Sequence, residues 1–124
     1  MAMYIILTRN DPAQLYVASA LAASYSALGD EVVLFISGSA ILAFKKTPQL
    51  SDQGEGERYS RFKADYLSII SNAKSLGNLK VIACTGVMAI YGVGKDELSE
   101  LVDEALDFPS LIMRIKNGDR VLVV

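Results

Sequence analysis

The chain has 124 residues, enough for one substantial core and too few for two, so a single domain spanning residues 1–124 is expected. Apolar residues make up 52% and charged residues 21%, more apolar than one small core requires, which points to strands buried on both faces, to a homo-oligomer, or to both. Net charge is −2, with 12 basic residues scattered among 14 acidic ones, so there is no basic stripe to neutralise a phosphate backbone and nucleic acid is not an expected partner.

The first apolar run, Met3-Tyr4-Ile5-Ile6-Leu7, predicts a strand at about residues 2–8, covered on both faces. Asp11-Pro12-Ala13-Gln14 then supplies an N-cap carboxylate, a proline at the first helical position and a glutamine three residues after the cap. A helix therefore starts there and runs to Leu28, and Gly29 closes it in the left-handed conformation. Ala18, Ala22, Ala23 and Ala27 give that helix a flat surface for close approach to a sheet. The stretch Pro12 to Gly29 is the longest without charge, but Gln14, tyrosines and serines on an alanine background make it a poor membrane span, so no membrane association is expected.

Val32-Val33-Leu34-Phe35-Ile36 predicts a second strand at about 31–37. Between Lys45 and Arg58 the sequence is polar and glycine-containing, and it reads as a mobile loop whose part from about Thr47 to Glu57 serves as a lid over the strand ends. Phe62, Tyr66, Ile69, Ile70, Ala73 and Leu76 recur at helical spacing and end at Gly77-Asn78, before a third strand at about 79–84. Strand, helix, glycine stop and strand in succession is the grammar of a parallel βαβ crossover. The C-terminal region carries two signals. Asn117-Gly118 between two apolar stretches suggests a hairpin, but Ile112 breaks strand alternation and Pro109 suits a helix start, so a helix from about Pro109 followed by a strand at 120–124 is favoured. The fold class is α/β, three-layer α/β/α, with a mostly parallel sheet of four to five strands and helices on both faces.

Ligands of open parallel sheets meet the loops at the carboxyl ends of the strands. Those loops are Thr8-Arg9-Asn10-Asp11, Ser37-Gly38-Ser39 and Cys84-Thr85-Gly86. They make Arg9, Asn10, Ser37, Ser39, Thr85 and Gly86 candidate binding residues and Cys84 the candidate catalytic residue. A thiol at a strand end, just before a helix, sits where backbone N–H groups favour the reactive thiolate. Free cysteines are equally at home as small buried apolar fillers, and that second reading of Cys84 stands beside the first.

The chain has no histidine, which removes serine–histidine and cysteine–histidine hydrolase mechanisms and the commonest metal ligand; no metal or cofactor is expected. A cysteine-phosphatase loop needs an arginine where Ile90 stands, and a thioredoxin-type pair needs a cysteine at Val87. Gly92-Val93-Gly94-Lys95 fails as a P-loop end, because Ala89 replaces the first glycine and Asp96 the magnesium-binding hydroxyl. A single cysteine forms no internal disulfide and Met1 opens no secretory signal pattern, so the cytoplasm is the expected compartment.

The stretch Val81-Ile82-Ala83-Cys84-Thr85-Gly86-Val87-Met88-Ala89-Ile90-Tyr91-Gly92, continuing to Leu98, resembles the DsrE/DsrF-like family of small sulfur-relay proteins. An apolar strand ends in Cys84, Met88 follows four residues later, Gly92 four beyond that, and a charged segment leads to Leu98. The opening is similar too, with Asp11-Pro12 and an alanine-rich helix ending at Gly29. The resemblance implies a three-layer domain assembling as trimers or hexamers, with Met88 among the site residues and Cys84 carrying sulfane sulfur as a persulfide. With no second cysteine in the chain, such sulfur would pass to another molecule, such as a sulfur-carrier protein. The alternative is a non-catalytic oligomer subunit or a small-ligand-binding module with Cys84 as a core residue.

Overall fold

Five parallel strands in the order β4-β3-β2-β1-β5 form the sheet of the computed structural model, which describes residues 1–124. In chain order the elements are β1 (Ala2–Leu7), α1 (Pro12–Ala27), β2 (Glu31–Ile36), a 3-10 segment Gly38–Phe44, α2 (Gln53–Arg61), α3 (Tyr66–Lys74), β3 (Leu79–Cys84), α4 (Thr85–Tyr91), a 3-10 turn Lys95–Glu97, β4 (Glu104–Leu106), α5 (Phe108–Arg114) and β5 (Arg120–Val123). Strand register runs Ile5↔Leu34 between β1 and β2, Leu34↔Val81 between β2 and β3, and Ile5↔Leu122 between β1 and β5. The three central strands are buried on both faces, as their unbroken apolar runs predict.

Alternation along the strands divides the interior in two. Met3, Ile5 and Leu7, with Val32, Leu34, Ile36, Val81 and Ala83, face the larger core, which α1, α3 and the 3-10 segment Gly38–Phe44 complete. Tyr4, Ile6, Phe35, Ile82 and Cys84 face the smaller core, which is completed by Leu111 of α5 with Val87 and Ile115 at its margin. Helices thus cover both faces of the sheet, but unequally. The smaller face has one helix of 7 residues, pinned by an edge contact of Phe108 on Phe35 (ring centroids 5.0 Å apart) and by the Tyr4 hydroxyl donating to the Arg114 carbonyl at 3.2 Å.

Helix α1 begins where the sequence places it: the Asp11 carboxylate accepts from the backbone N–H groups of Ala13 and Gln14, and Pro12 occupies the first turn. It ends at Leu28, with Gly29 at φ +96°. Ala18 and Ala22 are fully buried against the sheet, whereas Ala23 is partly buried and Ala27 exposed. No helix is long and apolar enough to cross a membrane.

Two expectations change, and the sheet reaches the upper of the expected four to five strands. The polar segment after Lys45 is not loop throughout, because residues 53–61 are a helix: Asp52 caps α2 by accepting from the Glu55 N–H at 3.0 Å, Glu55 pairs with Arg58 at 3.5 Å, and Arg58 and Arg61 lie in the last turn, where the helix carbonyls favour cations. Local capping and pairing outweigh a composition that reads as loop. Helix α3 starts only at Tyr66, because Asp65 caps it through the Ser68 N–H; Phe62 and Leu76, assigned to its apolar stripe, lie outside it and are exposed. The fifth strand is β4, 3 residues that carry no apolar run. Asp103 positions it, donating its backbone N–H to the Val81 carbonyl while its carboxylate accepts the Val81 N–H, both at 2.8 Å, and pairing with Lys74. The C-terminal ambiguity resolves as a helix, α5, followed by a strand: Asn117-Gly118 turns the chain into β5, which pairs in parallel with β1 rather than folding back as a hairpin.

Candidate functional site

Cys84 is the last residue of β3 and immediately precedes α4, at the carboxyl edge of the sheet. Its backbone is extended (φ −77°, ψ 117°), and its side chain forms no capping hydrogen bond to the helix. Cys84 belongs to the smaller core, 2% exposed, on the face shared by Ile82, Phe35 and Leu111, and is in register with Leu106 of β4. No pocket is lined by Cys84. It is the single free thiol of the chain.

Thr85 opens α4 and is partly buried, Gly86 is exposed, and Val87 packs at the margin of both cores. Met88 goes to the larger core, so it stands on the opposite side of the sheet from Cys84; its carbonyl accepts the Val93 N–H at 2.8 Å. Gly92 closes the helix at φ +66° in the left-handed region, accounting for a glycine at that spacing.

The other two carboxyl-end loops lie side by side. Ser39 Oγ accepts from the Asn10 N–H at 3.2 Å, joining the loop after β1 to the 3-10 segment after β2. Asn10 also holds the long connection, donating from Nδ2 to the Gln49 carbonyl at 3.0 Å and accepting from the Ser51 N–H at 3.1 Å. Ser37 is buried; its N–H donates to the Leu7 carbonyl at 2.8 Å, and its hydroxyl caps nothing. Arg9 is exposed and makes no ion pair. Strand β2 separates the loop of Arg9 from that of Cys84, which puts their backbones two strand spacings, roughly 10 Å, apart. Asn10 and Ser39 are therefore brought together, while Arg9 and Met88 are not gathered around the thiol.

The connection expected as a lid over the strand ends meets the loop after β1 through Asn10, but it packs on the larger-core side, away from Cys84. Leu50 is set against the larger core, the Lys46 N–H donates to the Glu97 carbonyl at 2.8 Å, and α2 lies beside α1, with Tyr59 and Tyr16 rings 5.4 Å apart. Between α1, α2 and α3 a small cleft of about 130 Å³ is lined by Tyr16, Leu50, Tyr59 and Tyr66, on the face away from Cys84. Burial and the nearby Asp65 raise the pKa of Tyr66, whose hydroxyl donates to the Ala43 carbonyl and remains a neutral structural donor.

The elements that cover the thiol were not legible as such. Glu104 of β4 holds Arg114 of α5 in a two-bond pair (2.9 and 3.1 Å), which fixes the helix over the smaller core; the Arg114 guanidinium bonded to it keeps the Glu104 carboxyl below its ordinary value. The acidic Asp103-Glu104 pair and the Asp107 cap before Pro109 were the available signals.

The fold is shared with solved structures of low sequence identity. A protein of unknown function, MTH1491 from Methanobacterium thermoautotrophicum, superposes with a TM-score of 0.69 at 12% identity, over 99% of this chain and 98% of that one. The ychN protein from E. coli superposes with a TM-score of 0.65 at 20% identity over 100% of both chains. No curated protein matches the chain in sequence. The model of the DsrE/DsrF-like family matches residues 1–124, from the first strand through the Cys84 motif to the last, and the chain belongs to that family.

Proposed function

We propose that the protein is a sulfur-relay carrier that holds sulfane sulfur as a persulfide on Cys84. The observation that carries the proposal is the thiol's place: it ends a central parallel strand at the edge where such sheets meet ligands, in a chain of a sulfur-relay type family. In the loading step the Cys84 thiol gives its proton to solvent and the thiolate attacks the outer sulfur of a donor persulfide. The new S–S bond forms as the donor's S–S bond breaks, and the donor leaves as a thiolate with the bonding pair, so no external oxidant or reductant is needed. Unloading is the same exchange run onto an acceptor thiol, which must belong to another molecule because the chain has no second cysteine. A reducing compartment such as the cytoplasm suits a thiol that must stay free.

Burial supports a second reading. At 2% exposure among apolar side chains, Cys84 also fits a core residue of a non-catalytic subunit. Intact mass of native protein after exposure to a persulfide donor separates the two: the carrier gains sulfur on Cys84 and Cys84→Ala gains none, whereas a core thiol gains none in either and resists alkylation until the protein is denatured.

The carrier works as a homo-oligomer, a trimer or hexamer. Val121 and Val123 of β5 stand in register with Tyr4 and Ile6 on the sparsely covered face and are 44% and 68% exposed, and Ile112 and Met113 of α5 are 55% and 85% exposed. This much apolar side-chain surface around one short helix supports burial against further copies. Light scattering should return three or six times 13.4 kDa, and Val123→Lys should lower that mass; a monomer at micromolar concentration refutes the assembly.

A further inference from the structure

We infer that Gly86 is the port to the Cys84 sulfur: the missing side chain at this position is what lets a donor or acceptor reach the thiol. The inference rests on the carrier function proposed for Cys84 and concerns how that residue is reached.

Glycine at 86 has no explanation in the fold. Its φ is not positive, unlike that of Gly29, Gly38, Gly77, Gly92 and Gly118, so an L-residue could adopt the same backbone. Nor does crowding require it. A Cβ built on Gly86 meets one atom within 4 Å outside its immediate neighbours and its own helix backbone, and that atom is Cys84 Sγ, at 3.7 Å, an ordinary contact distance. Within a helix, glycine is less stable than alanine because the unfolded chain has more conformations to lose. The second position of α4 therefore lowers helix stability without relieving a clash or enabling a turn.

What the glycine leaves open is the approach to the sulfur. Gly86 is exposed, while the residues completing the smaller core, Leu111 at 0% exposure and the partly buried Val87, Leu106 and Ile115, close the apolar side. A Cβ at this exposed position would stand beside the sulfur, so glycine leaves less cover over Sγ on this side than any other residue would. Disulfide-type exchange needs an incoming sulfur to come within bonding distance, about 2.05 Å, of the sulfur it joins, so a side chain standing at 3.7 Å from Sγ competes directly with the reactant. With Cys84 2% exposed and no pocket formed over it, an approach past Gly86 favours an unbranched alkyl sulfur species over a bulky one.

The test is the rate of Cys84 alkylation in the folded, full-length protein by two probes, iodoacetamide and the larger N-phenylmaleimide, with the denatured protein as the ceiling. Gly86→Ala should slow the reaction about threefold and Gly86→Val at least about tenfold, with the larger probe affected more and full reactivity regained in denaturant. Ala89→Val, at an exposed position of the same helix, should leave the rates within about twofold of the parent. Probe-size dependence separates occlusion from a stability effect, because alkylation through global opening slows both probes alike. Wild-type rates for Gly86→Val, or equal slowing of both probes, overturn the port and leave the carrier function standing; a wild-type thiol inert to both probes until denaturation removes the carrier function and the port together. Should Gly86→Val fail to fold, Gly86→Ala decides, since its Cβ is accommodated at ordinary contact distance.

Discussion

Gly38 and Thr8 approach so closely that a Cβ on Gly38 would overlap the Thr8 carbonyl oxygen, and Gly38 takes φ +52° besides. The turn out of β2 thus lies against the end of β1, and the neighbouring Ser37 N–H bonds the Leu7 carbonyl. Gly38→Ala combines a left-handed backbone with a backbone clash that no rotamer can relieve. It should cost roughly 2 kcal/mol or more, read as a lower urea midpoint with unchanged slope. Gly29→Ala is the comparison, with φ +96° but open space around its Cβ, so the difference between the two isolates the clash.

This contact shows where the limits of sequence reading fall. Strands β1, β2, β3 and β5 and helix α1 were legible because each is specified locally, by an apolar run or by the Asp11-Pro12 cap. The position of Cys84 at the end of β3 follows from the same logic. The face its sulfur takes depends on strand phase against distant partners, and the cover over it depends on β4 and α5, which come together through Asp103 with Val81 and Glu104 with Arg114. Helix α2 was missed because one cap and one ion pair decide it in a segment without apolar periodicity. Met88 could be matched by spacing, but spacing does not distinguish a side chain directed to the larger core from one directed at the thiol.

Asn78 joins the end of α1 to the start of β3, with Nδ2 donating to the carbonyls of Ser26 (2.9 Å) and Asp30 (2.8 Å). Asn78→Ala should cost about 1–3 kcal/mol, since the Asp30 carbonyl loses the amide donor and the Ser26 carbonyl keeps only the Gly29 N–H. Asn78→Asp should be worse at neutral pH, because a carboxylate would face two carbonyl oxygens and donate nothing. Acid should recover part of that loss by protonating it, and urea titrations of both variants at two pH values would show the crossover.

Acid should weaken the edges of the sheet first. Asp119 accepts from the Ala2 N–H (2.8 Å) and the Lys116 N–H (2.9 Å), which holds its carboxyl below the ordinary 3.8, and the guanidinium of Arg114 does the same for Glu104 relative to 4.5. A folded-state value below the unfolded one means that the unfolded state binds the proton more readily. The stabilisation is therefore complete above about pH 5 and is lost as pH falls through the unfolded and then the folded values. Thermal melts should show a fall in Tm below about pH 4.5, and Asp119→Ala should lower Tm at neutral pH while flattening that acid slope. A slope unchanged by Asp119→Ala would assign the acid loss to other carboxylates.

Replacing Cys84 should separate its packing from its chemistry. Cys84 is 2% exposed among Ile82, Phe35 and Leu111, and its side chain makes no capping hydrogen bond. Serine is close in size but brings a hydroxyl that this apolar site cannot satisfy, a penalty of about 1–3 kcal/mol. Alanine brings no polar group and loses only the sulfur's contacts, and the small gap beside exposed Gly86 is open to relaxation. Cys84→Ser should therefore melt below Cys84→Ala, the reverse of the order expected for a water-exposed thiol, and neither should gain sulfur mass from a persulfide donor. Serine melting at or above alanine would mean that the hydroxyl reaches water or a backbone partner, placing the wild-type sulfur in a more open setting than its 2% exposure implies. Comparing each variant's Tm with its sulfur uptake also guards the functional test: uptake lost in the well-folded alanine variant reports chemistry at Cys84 and not a collapsed core.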